Sequence, residues 1–217
     1  SGKHKMEAMA RYKLGCMYEE MRQFNNAIKS YKLFLSLSQG LKDETGICLA
    51  LNCLGTCYHK MGEKYYSTAL EFHKKHWEVA DAQSKVVAHI NIGLVYNSMD
   101  NLESSAENFR MAFQYALEVG DKQGESMALA NLGALGVDQG DFVTAQACME
   151  RHLLISEALN DYKSTREAYQ QLGVLASQKG DLDAAIQMLN KARAIAVQNN
   201  DQVTANQIKC KIGIVGA

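Results

Sequence analysis

The chain has 217 residues, 47% of them hydrophobic, with 23 basic against 24 acidic side chains and a formal charge of −1. That balance offers no global attraction for nucleic acid or an anionic membrane, while the apolar content is ample for a core. No apolar run approaches the ~20 residues that cross a bilayer and no charged-then-apolar leader opens the chain, so a soluble, non-secreted, cytoplasmic protein is expected. Proline is absent, which suits helices joined by tight turns. The six cysteines, Cys16, Cys48, Cys53, Cys57, Cys148 and Cys210, follow no regular spacing and read as reduced thiols. The chain opens on Ser1-Gly2 rather than Met and reads as part of something longer.

A glycine recurs along the chain, at Gly15, Gly55, Gly93, Gly133, Gly173 and Gly213, with spacings of 40, 38, 40, 40 and 40. Self-similarity at such a period marks a stacked array, because each unit has an apolar face that only the next can cover. Numbering each unit from its glycine, position −1 is Leu or Ile throughout and position −5 is Ala10, Ala50, Ala88, Ala128, Ala168 and then Ile208. Position +3 is Tyr18, Tyr58, Tyr96, Gly136 and Ala176. These three positions lie on one stripe of a helix and predict the buried face of a first helix in every repeat.

The first repeat, residues 5–40, turns at Arg22-Gln23-Phe24 and enters a second helix with Ala27 at +12 and Tyr31 at +16. The second, 44–81, gains two residues around Tyr65-Tyr66, so that Ala69 falls at +14, and then loses four in its connection to the third. Repeats 84–120, 122–160 and 162–200 restore the rule, pairing Ser105 with Phe109, Ala145 with Met149 and Ala185 with Leu189. Small against large lets two antiparallel helices approach closely. Asp43, Asp121, Asp161 and Asp201 at +28 read as N-caps of the next first helix, and a terminal helix, 202–213, closes the series. About eleven helices and no strand are expected, in a single array over 1–217.

Leu/Ile-Gly, an aromatic three residues on, then alanine and a large apolar residue in the second helix resemble the tetratricopeptide repeat over essentially the whole chain. The 40-residue period is similar to the long-repeat subgroup of LGN/Pins-type adaptors and rapsyn, as are Ala128-Leu-Ala-Asn-Leu-Gly133 and Gln139-Gly-Asp-Phe142. The resemblance implies an all-α, right-handed superhelical solenoid of antiparallel helix pairs, with the first helices lining a concave groove. Its usual function is non-catalytic: an adaptor or scaffold whose groove holds a peptide or helix of another protein. Alternatives are a structural module of a cytoskeletal or ciliary assembly, self-association included, and the regulatory domain of a longer protein.

Positions opposite the buried stripe nominate a partner-binding groove of Tyr12, Asn52, Thr56, His59, Asn91, Asn97, Asn131, Gln170 and Gln171. Asn91, Asn131 and Gln171 share position −2 as an amide ladder, able to bind a ligand backbone or, equally, to bond between neighbouring helices. Position +1, where LGN-like repeats often carry Asn, is Cys16, Thr56, Leu94, Ala134 and Val174, a more apolar row. A carboxylate clamp needs several basic residues, yet only Lys13 and Lys60 qualify and Glu19, Glu20, Asp138 and Glu167 oppose them. Cys48, Cys53, Cys57 and His59 read as packing residues rather than zinc ligands, because only Cys53 and Cys57 share a face. His73 and His76 read as packing or solvated, and Trp77 as a contact between repeats. No phosphate loop, nucleophile elbow or His-Glu-x-x-His is present, so neither catalysis, nor a cofactor, nor a metal is expected.

Overall fold

A computed structural model describes residues 2–216; the first and last positions, Ser1 included, lie outside the described residues. Eleven α-helices follow one another among these residues, with no strand: α1 (Gly2–Glu20), α2 (Phe24–Leu41), α3 (Glu44–Lys60), α4 (Tyr66–Val79), α5 (Ala82–Ser98), α6 (Leu102–Val119), α7 (Lys122–Asp138), α8 (Phe142–Ala158), α9 (Tyr162–Gln178), α10 (Leu182–Gln198) and α11 (Gln202–Val215). The all-α architecture expected from the repeat is therefore what the chain adopts, with α1 reaching back to Gly2 and α5 to Ala82. Two compact units divide the chain, one ending at Tyr115 and one beginning at Ala116. Within each, every helix packs on the next in sequence, from α1 to α5 in the first and from α7 to α11 in the second.

Aspartate starts these helices as expected. Asp43 accepts from the Gly46 amide at 3.1 Å, Asp121 from Gly124 at 2.9 Å, Asp161 from Ser164 at 3.2 Å and Asp201 from Thr204 at 3.1 Å. The same device caps helices where it was not anticipated: Asp81 opens α5, Asn101 α6, Asp141 α8 and Asp181 α10. The turns end in left-handed backbone at Arg22, Gly62, Asp100, Gly140 and Gly180, one repeat apart. A side chain is strained there, so glycine or a short polar residue predominates.

The glycine row is the contact between the two helices of a repeat. The large residue at +16 lies directly on it: Tyr31 on Gly15, Phe109 on Gly93, Met149 on Gly133 and Leu189 on Gly173. The small residue one turn earlier, Ala27, Ser105, Ala145 or Ala185, is fully enclosed. In the second repeat the two inserted residues form a 3-10 turn, Glu63–Tyr65, and the lost ones leave α4 with 14 residues against 17 or 18 in α2, α6, α8 and α10. The register therefore moves by two, and His73 takes the place of the large apolar residue, its ring on Gly55.

The predicted buried stripe needs correction. Position −5 is enclosed in α3, α5, α7, α9 and α11, but −1 is fully buried only at Leu54 and Ile92, and the tyrosines at +3 are half-buried. Position +2, not anticipated, is enclosed at Cys57, Val95, Leu135 and Leu175. The physical reason is that a first helix is covered from two sides. Its glycine meets the second helix of its own repeat, while −5 and +2 meet that of the preceding repeat, as where Ala50 packs on Phe34, Cys57 on Tyr31 and Leu175 on Met149. Ala10 departs from its row and is exposed, because α1 has no earlier helix beside it among the described residues. Gly213 departs likewise, with nothing within 4 Å of where a Cβ would stand.

Candidate functional site

Within each unit the first helices of successive repeats lie side by side and are joined by polar side chains along their rims. At about 100° per residue, positions −3 and +4 mark one rim of a helix and −2 and +5 the other. The bridges obey that geometry. Asn91 Nδ2 (−2) donates to Asn52 Oδ1 (−3) at 2.8 Å, and His59 Nε2 (+4) shares a hydrogen bond with Ser98 Oγ (+5) at 2.8 Å. Lys60 Nζ (+5) donates to Glu19 Oε1 (+4) at 2.7 Å, and in the second unit Lys211 (−2) approaches Gln170 (−3) at 3.5 Å.

These pairings dissolve most of the amide ladder. Asn91 is spent on Asn52; Asn131 donates to the Met127 carbonyl of its own helix at 2.8 Å. Gln171 alone of the three keeps a carbonyl oxygen that is buried and without a partner. Tyr12 is not a wall residue: its ring turns under α1 against Phe34 and Tyr31 of α2, with centroids 5.4 and 6.3 Å away. His59 is half-buried, its edge on Tyr66, and burial holds its pKa below the usual histidine value. Thr56 is half-buried, and Asn97 is exposed. The neutralisation of Lys60 by Glu19 also removes one of the two cations a carboxylate clamp would need.

Between the spent rims runs the apolar +1 row. In the second unit it opens into a cleft of about 410 Å3 between α7, α9 and α11. Ala134, Val137 and Val174 supply apolar lining, and Asp138 and Glu167 bring negative charge against the cation Lys211, the charge of Arg166 being met by Asp201. Arg166, on the same face of α9, bonds Asp201 Oδ2 at 2.6 Å through Nη1 and leaves its buried Nε unpartnered. Two residues of the cleft lining thus hold a buried polar atom without a partner, the acceptor Gln171 Oε1 and the donor Arg166 Nε, beside an exposed valine. Arg166 was missed because it sits near the start of α9, outside the positions read as wall, and Asp201, read only as the cap of α11, is also its partner.

Other polar groups lie in the core. Glu125 is enclosed, bonded by Lys122 at 2.7 Å and Arg151 at 2.6 Å. Burial pushes its carboxyl up, but those hydrogen bonds outweigh it and hold the pKa below the usual range. His152 Nδ1 shares a 2.7 Å hydrogen bond with Ser126 Oγ. His73 and His76 are buried rather than solvated; both ring nitrogens of His73 and Nδ1 of His76 lack partners. Burial drives their pKa values down to about 3 and about 4. Trp77 bridges repeats, edge-on to His89 of α5 and beneath Lys85 Nζ at 5.0 Å. None of the six cysteines is in a disulfide, and no three His, Cys, Asp or Glu side chains among the described residues converge as metal ligands would.

Two models of the tetratricopeptide repeat match the sequence, over residues 9–40 and 125–196. Human tetratricopeptide repeat protein 29 is 27% identical over 200 residues, 90% of this chain and 36% of that protein. The chain thus spans about a third of the curated relative's length. Among solved structures, aspartyl phosphate phosphatase F from Bacillus subtilis superposes with a TM-score of 0.84 at 18% identity, over 95% of this chain and 55% of that one. A Rap protein complexed with competence and sporulation factor gives a TM-score of 0.70 at 13% identity, over 99% of this chain and 64% of that one. At such identities the structural likeness concerns the fold. The repeating glycine contact and the capped turns accord with those two matches: over residues 9–40 and 125–196 the sequence is similar to the tetratricopeptide repeat.

Proposed function

We propose that the chain is a non-catalytic adaptor that holds a peptide or helical segment of another protein against its first helices, with the cleft over α7, α9 and α11 as the principal site. The observation that carries this reading is the unspent Gln171 carbonyl beside an exposed apolar row. A ligand backbone N–H satisfies that oxygen, an apolar side chain covers Val174 and Ala134, and a basic residue of the ligand answers Asp138 and Glu167. The Rap protein seen with competence and sporulation factor is a solved ligand complex of the same fold. The 40-residue period supports a long-repeat arrangement of the LGN/Pins kind, and six cysteines outside any disulfide suit a reducing, cytoplasmic setting, with a cytoskeletal or ciliary assembly as one place for such an adaptor. A single continuous array over the whole chain belongs to the same reading.

The test is a selection from a random peptide display library on the intact chain and on Val174→Asp. Val174 is 42% exposed, so the variant keeps the helical circular dichroism spectrum of the parent. The parent is expected to enrich peptides with an apolar residue next to lysine or arginine, and the variant to lose them. Enrichment of the same peptides by both proteins would remove the site from this cleft.

A further inference from the structure

The second repeat differs from the others by its shortened α4, and a cleft of about 340 Å3 stands where α3, α4 and the start of α5 meet. Glu44 and Asp81 bring two carboxylates to it, Thr45, Ser84 and Asn52 bring polar groups, and no lysine or arginine lines it. Leu49, Val79 and Val87 line it with aliphatic surface. Its enclosed polar side chain is His76, 2% exposed, with Nδ1 buried and unpartnered. We propose that this cleft binds an alkylammonium group, the aliphatic stem on Leu49, Val79 and Val87 and the charged end among Glu44, Asp81 and His76.

Charge decides the ligand class. Helices α3 and α5 both begin here, each contributing about half a positive charge at its N-terminus, while the two carboxylates carry a full negative charge each, so the cleft is net negative. Asp81 spends Oδ1 on the Ser84 amide at 2.7 Å as the cap of α5, and that hydrogen bond holds its carboxyl below the usual range and therefore ionised. Burial keeps His76 neutral at pH 7 with a pKa of about 4, although Asp81 works against the shift. A neutral imidazole accepts a hydrogen bond from an ammonium, whereas a protonated one would repel it. In the equivalent position of the fourth repeat His152 Nδ1 is spent on Ser126, a partner that His76 Nδ1 lacks. This site lies in the first unit and is independent of the cleft containing Val174.

The experiment is an NMR titration of the amide resonances of the intact chain at low salt with 1,5-diaminopentane, N-acetyl-lysine methylamide and, as the neutral control, 1,5-pentanediol. Saturable shifts at Glu44, Asp81 and Ser84 are expected with the diamine and not with the diol. Glu44→Gln with Asp81→Asn, which removes charge while Asn preserves the cap, is expected to weaken the diamine about fivefold. Tighter binding of the lysine derivative makes a polypeptide lysine the source of the group; binding of the diamine alone makes it a free amine. In the wild-type chain, iodoacetamide labelling of Cys48, which lines the cleft, slows with saturating diamine, a readout independent of how the double variant folds. Equal shifts from diamine and diol, unchanged binding by the folded double variant, or an unchanged Cys48 labelling rate would each overturn the proposal.

Discussion

His73 carries an unusual burden for one residue. It occupies the slot that Tyr31, Phe109, Met149 and Leu189 fill elsewhere, yet both its nitrogens are enclosed without partners. Unfolded, His73 and His76 take protons near the ordinary 6.5; folded, burial holds them to about 3 and about 4, with the His76 and His59 charges adding to the shift of His73. Between those values the unfolded chain binds more protons. Stability is thus complete above pH 6.5 and drains as pH falls, by about 1.4 kcal/mol per pH unit for each histidine, until the folded pKa is reached. His73→Phe, copying the Phe109-on-Gly93 contact, is expected to raise stability at pH 7 by about 1 kcal/mol and to reduce the slope between pH 6 and 4.5 by up to about 1.4 kcal/mol per pH unit, the remainder belonging to His76 and to His59, His89 and His152, which burial also lowers. Urea unfolding at a series of pH values measures both, and an unaltered slope would free His73 of the effect. The amides separate in the same assay. Asn91→Ala strands Asn52 and should cost about 1 kcal/mol, while Asn131→Ala loses only a bond to its own helix and should change stability by less than about 0.5 kcal/mol.

At the scale of the helix pair, glycine serves close approach in five of its six recurrences. A Cβ on Gly133 would stand 2.8 Å from Met149 Cγ and 3.4 Å from the Ala145 carbonyl oxygen. Gly133→Leu must therefore part α7 from α8, at about 1–3 kcal/mol, and lowers the melting temperature. Gly213→Ala has open space before it and removes a flexible residue from α11, so it is expected to raise stability by about 0.5 kcal/mol. Thermal melts of the two variants, moving in opposite directions, check the contact; a lower melt for Gly213→Ala would place an unseen neighbour over that helix. The period alone presents the two glycines as equivalent, because it reports spacing and not which side chain stands against each glycine.

For the whole molecule, the consequence of helices that pack consecutively within each unit is locality. Energies in such a chain sum over neighbours, so a perturbation decays within a repeat or two. Hydrogen exchange of Gly133→Leu should show faster amides in α7, α8 and the adjoining face of α9, and wild-type rates in α1 to α3. Acceleration across α1 to α3 would mean that the chain opens as a single cooperative body.

The repeat, its six glycines, the small-and-large pairing of α2, α6, α8 and α10 and the aspartate caps of α3, α7, α9 and α11 were legible in the sequence, because each follows from contacts at a fixed spacing along the repeat. Even the slot of His73 was written there, through the same two-residue displacement that carried Ala69 to +14. What only the tertiary structure decided lies between repeats. Position +2 is buried because a preceding second helix covers it, Tyr12 turns inward because Phe34 and Tyr31 offer it a surface, and the amides split three ways. Asn91 finds Asn52 on the next rim, Asn131 its own backbone and Gln171 nothing. Identical residues at identical repeat positions met different neighbours, and which polar group is left for a ligand is set by those neighbours rather than by the period.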